Sequence, residues 1–348
     1  MHRLASSVAL SAALLAVGGC SFDDHSSSHV APSSPSPDPA TPPATPSGSP
    51  QARPSPIEVP PAGAADLRVA TAVRAVRRLA GEIGPREATG AAYHRAADWV
   101  SQTFDGLGYD VARQRVDVPA GESWGVAVPA GRSVNVVATP AGFDAAQPHL
   151  VVGAHLDTVP QAPGGEDNAS GVGVMLAVAE AAAARRTRLP VVFVAFGAEE
   201  PRGAGDDRHH YGSREYVARL TSRQRGALRA MVSLDRVGVG TTVPVGSAGT
   251  SDPVQRSLLA AARRAAVATV ADPAQRSSDH WSFVREGLPA ARLGSTPYGA
   301  YHSAHDVVAA VSPAQLERVG RVVLTWLAPR DPVSDPDPSR RAGPPGGR

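Results

Sequence analysis

Pro190-Val-Val-Phe-Val-Ala-Phe-Gly-Ala-Glu199-Glu200 carries the strongest β signal in the chain and ends in two adjacent acids. From Val191 to Phe196 every residue is apolar, and β-branched and aromatic side chains dominate. A strand without polar alternation is covered on both faces, as at the centre of a sheet flanked by helices. Two carboxylates at the end of such a strand repel each other unless cations compensate them, although a strand that has already ended would leave both solvated.

The same arrangement recurs on either side of this stretch. Leu150-Val-Val-Gly-Ala runs into His155-Leu156-Asp157, and Ala230-Met-Val-Ser-Leu runs into Asp235. Three polar clusters therefore stand just beyond the carboxyl ends of predicted strands, the edge on which open α/β sheets build their sites. Tyr109 to Val118 and Ser133 to Thr139 also read as strands, and Ala290 to Leu293 as a weak one. Leu67, Val73, Val76 and Leu79 recur at helical spacing, as do Ala96, Trp99, Val100, Phe104 and Leu107. Further helices are predicted from Gly171 to about Arg185, from Pro253 to Val267 and from Pro313 to Leu327. The alternation predicts an α/β fold, a three-layer αβα sandwich around a twisted, mixed and mostly parallel sheet.

The ends of the chain read differently. Met1-His-Arg3 precedes an apolar run from Leu4 to Val17 that is too short to span a bilayer comfortably. Its close, Val17-Gly-Gly-Cys20, resembles the lipobox of bacterial lipoproteins, which implies cleavage before Cys20 and acylation of that residue. Ser, Pro, Ala and Thr then dominate to about Pro61, a composition that buries too little apolar surface to offset its ordering entropy. The expected organisation is a signal peptide at 1–19, a tether at 20–63, one globular domain at 64–329 and a Pro- and Gly-rich tail at 330–348. The expected location is the cell envelope, with Cys20 anchored at the outer face of the cytoplasmic membrane.

Among 348 residues there is one cysteine, which excludes an intrachain disulfide. The net charge is +2, and all the basic charge is arginine scattered along helical segments rather than gathered into a patch. No nucleic-acid partner is expected, and the domain is expected to be a monomer.

The polar clusters supply what a divalent metal site for hydrolysis needs: imidazole nitrogen, carboxylate oxygen, a shared carboxylate and an unligated base. His155 and Asp157, two apart, point to one side of an extended backbone, so a metal-bound imidazole has Asp157 as a candidate acceptor for its other N–H. Asp167-Asn168-Ala-Ser170-Gly171 follows a Gly- and Pro-rich loop, from which a carboxylate can present one oxygen to each of two ions; these are also ordinary helix-capping residues. Glu199 and Glu200 diverge in direction, which suits a base and a ligand. Asp235 reads either as a ligand or as an ion-pair partner of Arg236. In the turn-rich stretch Pro297 to Asp306, Tyr301 can donate to an oxyanion, and Asp306 can orient His302 or cap the next helix. His209, His210, His280 and His305 read as weaker candidates.

The succession Gly153-Ala-His-Leu-Asp, Glu166-Asp-Asn-Ala-Ser-Gly, Gly197-Ala-Glu-Glu, Gly212-Ser-Arg, Leu234-Asp and Tyr301-His resembles the bacterial zinc aminopeptidases with co-catalytic metals, over most of Leu67 to Leu327. The resemblance implies two Zn2+ per chain, with His155 and Asp235 on one, Glu200 and His302 on the other, and Asp167 bridging. It implies Glu199 as general base, Asp157 behind His155, Tyr301 as oxyanion donor, and the N-termini of peptides or proteins as substrates. Two departures stand out: Arg236 occupies a position where relatives often carry Met, and Pro201 to His210 is expected to be a surface loop at the rim. The metallo-carboxypeptidases and dipeptidases of the same clan are a rival, disfavoured by Asn168-Ala-Ser-Gly after the acid and by the lack of room for a lid domain. A glutaminyl cyclase on the same scaffold, with one zinc, is disfavoured by His155. A tethered binding protein on this scaffold would have no use for Glu199.

Overall fold

The computed structural model describes residues 58–249 and 252–329. The expected signal peptide, Cys20, the tether up to residue 57 and the tail from residue 330 lie outside the described residues. The first pairing occurs slightly before the expected domain start: Ala62 donates to the Arg186 carbonyl, and Arg186 to the Pro60 carbonyl, each at 2.9 Å.

Ten strands occur among the described residues. They are β1 (Asp110–Val118), β2 (Gly121–Ser123), β3 (Val126–Val128), β4 (Gly131–Thr139), β5 (His149–His155), β6 (Val191–Phe196), β7 (Leu228–Leu234), β8 (Val243–Gly246), β9 (Thr269–Asp272) and β10 (Ala290–Leu293). β2 and β3 form a small hairpin; the other eight make one sheet in the order β1-β4-β6-β5-β7-β10-β8-β9. The run β6-β5-β7-β10 is parallel, while β4 is antiparallel to both β1 and β6, and β8 to β10.

Eight α-helices accompany the strands: α1 (Val69–Val76), α2 (Ala91–Gly106), α3 (Gly171–Ala184), α4 (Tyr211–Arg219), α5 (Ser222–Ala227), α6 (Pro253–Arg264), α7 (His280–Arg285) and α8 (Pro313–Leu327). Strand alternation divides them into two outer layers. Leu150, Val152 and Ala154 of β5 face a core built with α1, α2, α3 and α8, whereas Val151 faces Tyr216 of α4 and Phe283 of α7. The α/β sandwich is therefore present, with helices on both faces of a mixed, mostly parallel sheet.

The strands the sequence left out are short. β8 contains Pro244, which argues against an interior strand, and β9 has only four residues. At the opposite edge, β1 is largely exposed and carries Arg113 paired with Asp98 and Arg115 paired with Asp117.

β5, β6 and β7 lie side by side in register, so their carboxyl ends bring His155, the Glu199 segment and Asp235 to one edge. Helix α3 starts hard against the same edge. A Cβ on Gly171 would run into the Leu234 carbonyl and the Asn168 side chain. Gly171→Ala is expected to destabilise the metal-free protein by about 1–3 kcal/mol through overpacking, measured by urea unfolding.

Candidate active site

Asp167 lies between two imidazoles. Its Oδ1 is 3.0 Å from His155 Nε2 and its Oδ2 is 3.0 Å from His302 Nε2. On the His155 side, Asp235 Oδ1 approaches the same Nε2 at 3.7 Å; on the His302 side, Glu200 Oε2 approaches at 3.4 Å. Glu199 faces the His155 side, with Oε2 at 4.0 Å. All six side chains are buried or nearly so, and all line one pocket with Tyr301 and Trp124.

The loop bearing Asp167 is held from several directions. Gly164 opens it in the left-handed region (φ 68), where a Cβ would also press on the Asp167 carbonyl. Asp306 does not act on His302 as one reading of the sequence had it. Its Oδ1 accepts the N–H of Glu166 at 2.7 Å and its Oδ2 that of Asp167 at 3.1 Å. Glu166 accepts from the backbone of Gly238 (2.7 Å) and Val239 (3.1 Å), tying the loop to the segment after Asp235. Asn168 donates to the Leu234 carbonyl at 2.9 Å and accepts the N–H of Gly171 at 3.0 Å, so the capping contact comes from Asn168.

Asp157 serves the neighbouring strand as much as its own. Its carboxylate accepts the N–H groups of Glu199 (3.0 Å) and Glu200 (3.1 Å), which fixes the turn that carries both acids. His155 Nδ1 is 3.2 Å from the Asp157 carbonyl oxygen and 3.6 Å from its Oδ1, so the backbone is the nearer partner.

Several contributors escaped the sequence reading. Arg292, fully buried on β10, pairs with Asp235 at 3.1 Å, in place of the Arg236 contact that the sequence left open. His210, one of the weaker candidates, has its Nε2 3.0 Å from Glu199 Oε1, and its backbone N–H donates to the Glu199 carbonyl at 2.9 Å. The expected rim loop, Pro201 to His210, is therefore only partly at the surface: Arg202 near its start and His210 at its end are buried. Arg86, also fully buried, donates to the carbonyls of Leu79 (2.9 Å), Leu156 (3.0 Å) and Pro163 (2.7 Å), joining the turn after α1 to the His155 and Asp167 segments.

The charges define what the cluster can hold. Burial opposes the charge of Asp167, yet its bonds to His155 and His302 hold it well below the usual carboxylate range. Burial likewise works against Asp235, but Arg292 and His155 keep it low. Burial pushes Glu199 up, with Asp235, Asp157 and Asp167 adding to the shift against His155. It also pushes Glu200 up, reinforced first by Asp167. Burial works against protonation of His302, but Glu200 and Asp167 raise it to about 10. Burial lowers His210 to about 4, which leaves it neutral.

Glu200 Oε1 and His302 Nδ1 are buried without hydrogen-bond partners, and Nε2 of each imidazole faces carboxylate oxygen rather than a neutral acceptor. Imidazole and carboxylate donors converging in this way fit a divalent cation, and one atom each from His155, Asp167 and Glu200 lie within 4.8 Å of one another.

A buried metal-ligand cluster at the carboxyl edge of a parallel α/β core marks a metallohydrolase type of protein. Comparison with protein families matches residues 135–327 to peptidase family M28, and the chain belongs to that family. It is 29% identical over 203 residues to aminopeptidase YwaD of Bacillus subtilis (strain 168), a match covering 55% of this chain and 43% of the relative. The matched region thus spans under half the length of that curated relative. Among solved structures, a zinc aminopeptidase from Bacillus subtilis superposes with a TM-score of 0.66 at 19% identity, over 77% of this chain and 95% of that one. An aminopeptidase from Aneurinibacillus sp. strain AM-1 gives 0.67 at 19%, over 79% and 97%. Glutaminyl cyclase from Porphyromonas gingivalis gives 0.64 at 22%, over 75% and 98%. These likenesses show a shared fold.

Two outcomes follow from the geometry. Asp306→Asn replaces one acceptor by an amide that cannot serve both N–H groups, and is expected to weaken zinc affinity by about 10–100-fold, measured by competition with a chelator. Because His302 is protonated at neutral pH in the metal-free protein and must lose that proton to ligate, zinc uptake is expected to release protons. Affinity then rises with pH from the acid side; calorimetric titration in buffers of different ionisation enthalpy measures the release.

Proposed function

We propose that this chain is a zinc-dependent aminopeptidase that removes N-terminal residues from peptides, with two Zn2+ per chain and Glu199 as general base. The observation that carries the reading is the two-sided placement of Asp167, with a different imidazole 3.0 Å from each of its carboxylate oxygens. His155 and Asp235 would hold one ion, Glu200 and His302 the other, with Asp167 shared between them. When bound, the ions would supply Lewis acidity toward water and toward the scissile carbonyl.

The chain's own residues supply the rest. Glu199 has one oxygen fixed by His210 and the other turned toward the His155 side, where it can take a proton from water and return it to the departing amine. The tendency of its buried carboxyl to hold a proton suits that exchange. Asp157 fixes the backbone of Glu199 and Glu200, so that base and ligand keep their separation. Tyr301, partly exposed on the pocket wall, is positioned by stacking on His302 at 3.7 Å between ring centroids, and its hydroxyl is the oxyanion donor of this reading. The acidic cluster in the pocket is suited to a substrate's positively charged amino end, which supports the aminopeptidase reading.

The export signal and Cys20 support placing the enzyme outside the cytoplasmic membrane, lipid-anchored through the tether and acting as a monomer on peptides or protein N-termini. The low net charge gives nucleic acid no foothold. In full-length protein purified in detergent, Glu199→Gln is expected to retain two zinc by elemental analysis and to lose about 10²–10⁴-fold in kcat on aminoacyl amides and free-amine peptides. Cleavage from the carboxyl end would instead establish a carboxypeptidase. One zinc with cyclisation of N-terminal glutamine would establish a glutaminyl cyclase, and zinc without turnover a binding protein.

A further inference from the structure

The pocket that holds the acidic cluster is also lined by basic side chains. Arg236 and Arg276 both line it, together with Gln275 and Ser277. Arg236 stands one residue beyond Asp235 in the left-handed backbone region (φ 53), which few side chains other than Gly, Asn and Asp adopt without strain. Its N–H donates to Asn168 Oδ1 at 3.2 Å, so the strained residue is pinned to the Asp167 loop.

The guanidinium is equally fixed. Its Cζ lies over the Tyr301 ring, 4.2 Å from the centroid, and Nη2 donates to Ser295 Oγ at 2.6 Å. Among the described residues, its other side-chain N–H groups donate to nothing. The adjacent acid, Asp235, is already engaged by Arg292 and His155. Arg276 is exposed and lies over the Trp281 ring at 4.8 Å. Outside the acidic cluster, Asp206 is the one acid lining the pocket among the described residues, and it is exposed at the rim with His209 beside the same opening.

We infer that Arg236, assisted by Arg276, recognises a carboxylate on the substrate. This rests on the peptide-hydrolase reading of the neighbouring cluster. A guanidinium is a planar fork of donors that matches the two oxygens of a carboxylate, and the Tyr301 ring and Ser295 hold this one in place. Being half-buried, it has already lost much of the water that would compete. The pocket thus pairs an acidic cluster, suited to an amino group, with two guanidinium groups in the same lining. A substrate fits both when it carries a free amine and, one side chain or one residue away, a carboxylate. That carboxylate is either the side chain of an N-terminal Asp or Glu or the α-carboxylate of a dipeptide.

The test uses zinc-loaded full-length protein, with hydrolysis measured in the unsubstituted chain and equilibrium binding of intact peptides measured in Glu199→Gln. Glu-Ala-amide against Gln-Ala-amide reads the side-chain source, and Leu-Ala against Leu-Ala-amide reads the backbone source. At least one carboxylate-bearing peptide is expected to be preferred over its neutral counterpart by about tenfold or more, the size of a charge-assisted hydrogen bond. In Arg236→Met the ratio is expected to collapse toward unity, with Arg236→Lys retaining part of it. If Arg236 only balanced the charge of the cluster, Arg236→Met would shift zinc affinity and all four peptides alike, and the ratio would survive; that result overturns the proposal. So do ratios near unity in the unsubstituted protein, a result that does not depend on any variant folding. Carboxylate preference in binding without hydrolysis sinks the aminopeptidase reading and leaves this one standing, whereas hydrolysis without preference does the reverse.

Discussion

Five carboxylates, Asp157, Asp167, Glu199, Glu200 and Asp235, share one buried space, and the fold around them is organised to make that tolerable. An ionised carboxylate away from water is costly unless each oxygen finds a positive or donor partner. Here every acid has a different solution. Asp157 takes two backbone N–H groups, Asp235 takes Arg292, Asp167 takes an imidazole on each side, and Glu199 takes neutral His210. Glu200 keeps one oxygen without a partner, and that remainder marks where positive charge from outside the chain is called for.

The parallel run of strands is what brings these groups together without long reach. Three neighbouring strands end at one level, and each contributes a polar residue at its carboxyl end or just beyond it. Arg86 and Asp306 then bind the intervening loops by their backbones, so the segments bearing the proposed ligands are positioned by hydrogen bonds that leave the side chains of those residues free. Such a frame is built from hydrogen bonds within the chain, the kind of supporting contact that tunes a metal site.

Much of this was legible in the sequence because buried strands write themselves as unbroken apolar runs. Val191 to Phe196 and Leu150 to Ala154 could hardly be anything else, and the acids at their ends stood out against that background. The partners were less visible for a physical reason. Arg292 is 57 residues from Asp235, and Arg86 is 70 from Leu156, so neither pairing leaves a local pattern. Arg292 in a four-residue strand reads as a weak strand with a stray charge, and His210 as part of a polar loop, although an arginine inside an otherwise apolar strand was itself a sign of a buried acid nearby. The proline in β8 hid that strand for the opposite reason, since the local rule against Pro was correct and tertiary pairing overrode it.

The two edges of the sheet are unlike. β1 presents Arg113, paired with Asp98, and Arg115, paired with Asp117, to any strand that might add to it. β9 is short, but it leaves Val270 half exposed and carries no arginine. Unpaired edges are where sheets recruit foreign strands, and charge is the usual deterrent. Self-association through continued sheet formation is therefore opposed by several charges at one end of this molecule and at the other only by brevity and the single charge of Asp272, so the β9 margin is the weaker guard against aggregation of a partly unfolded population.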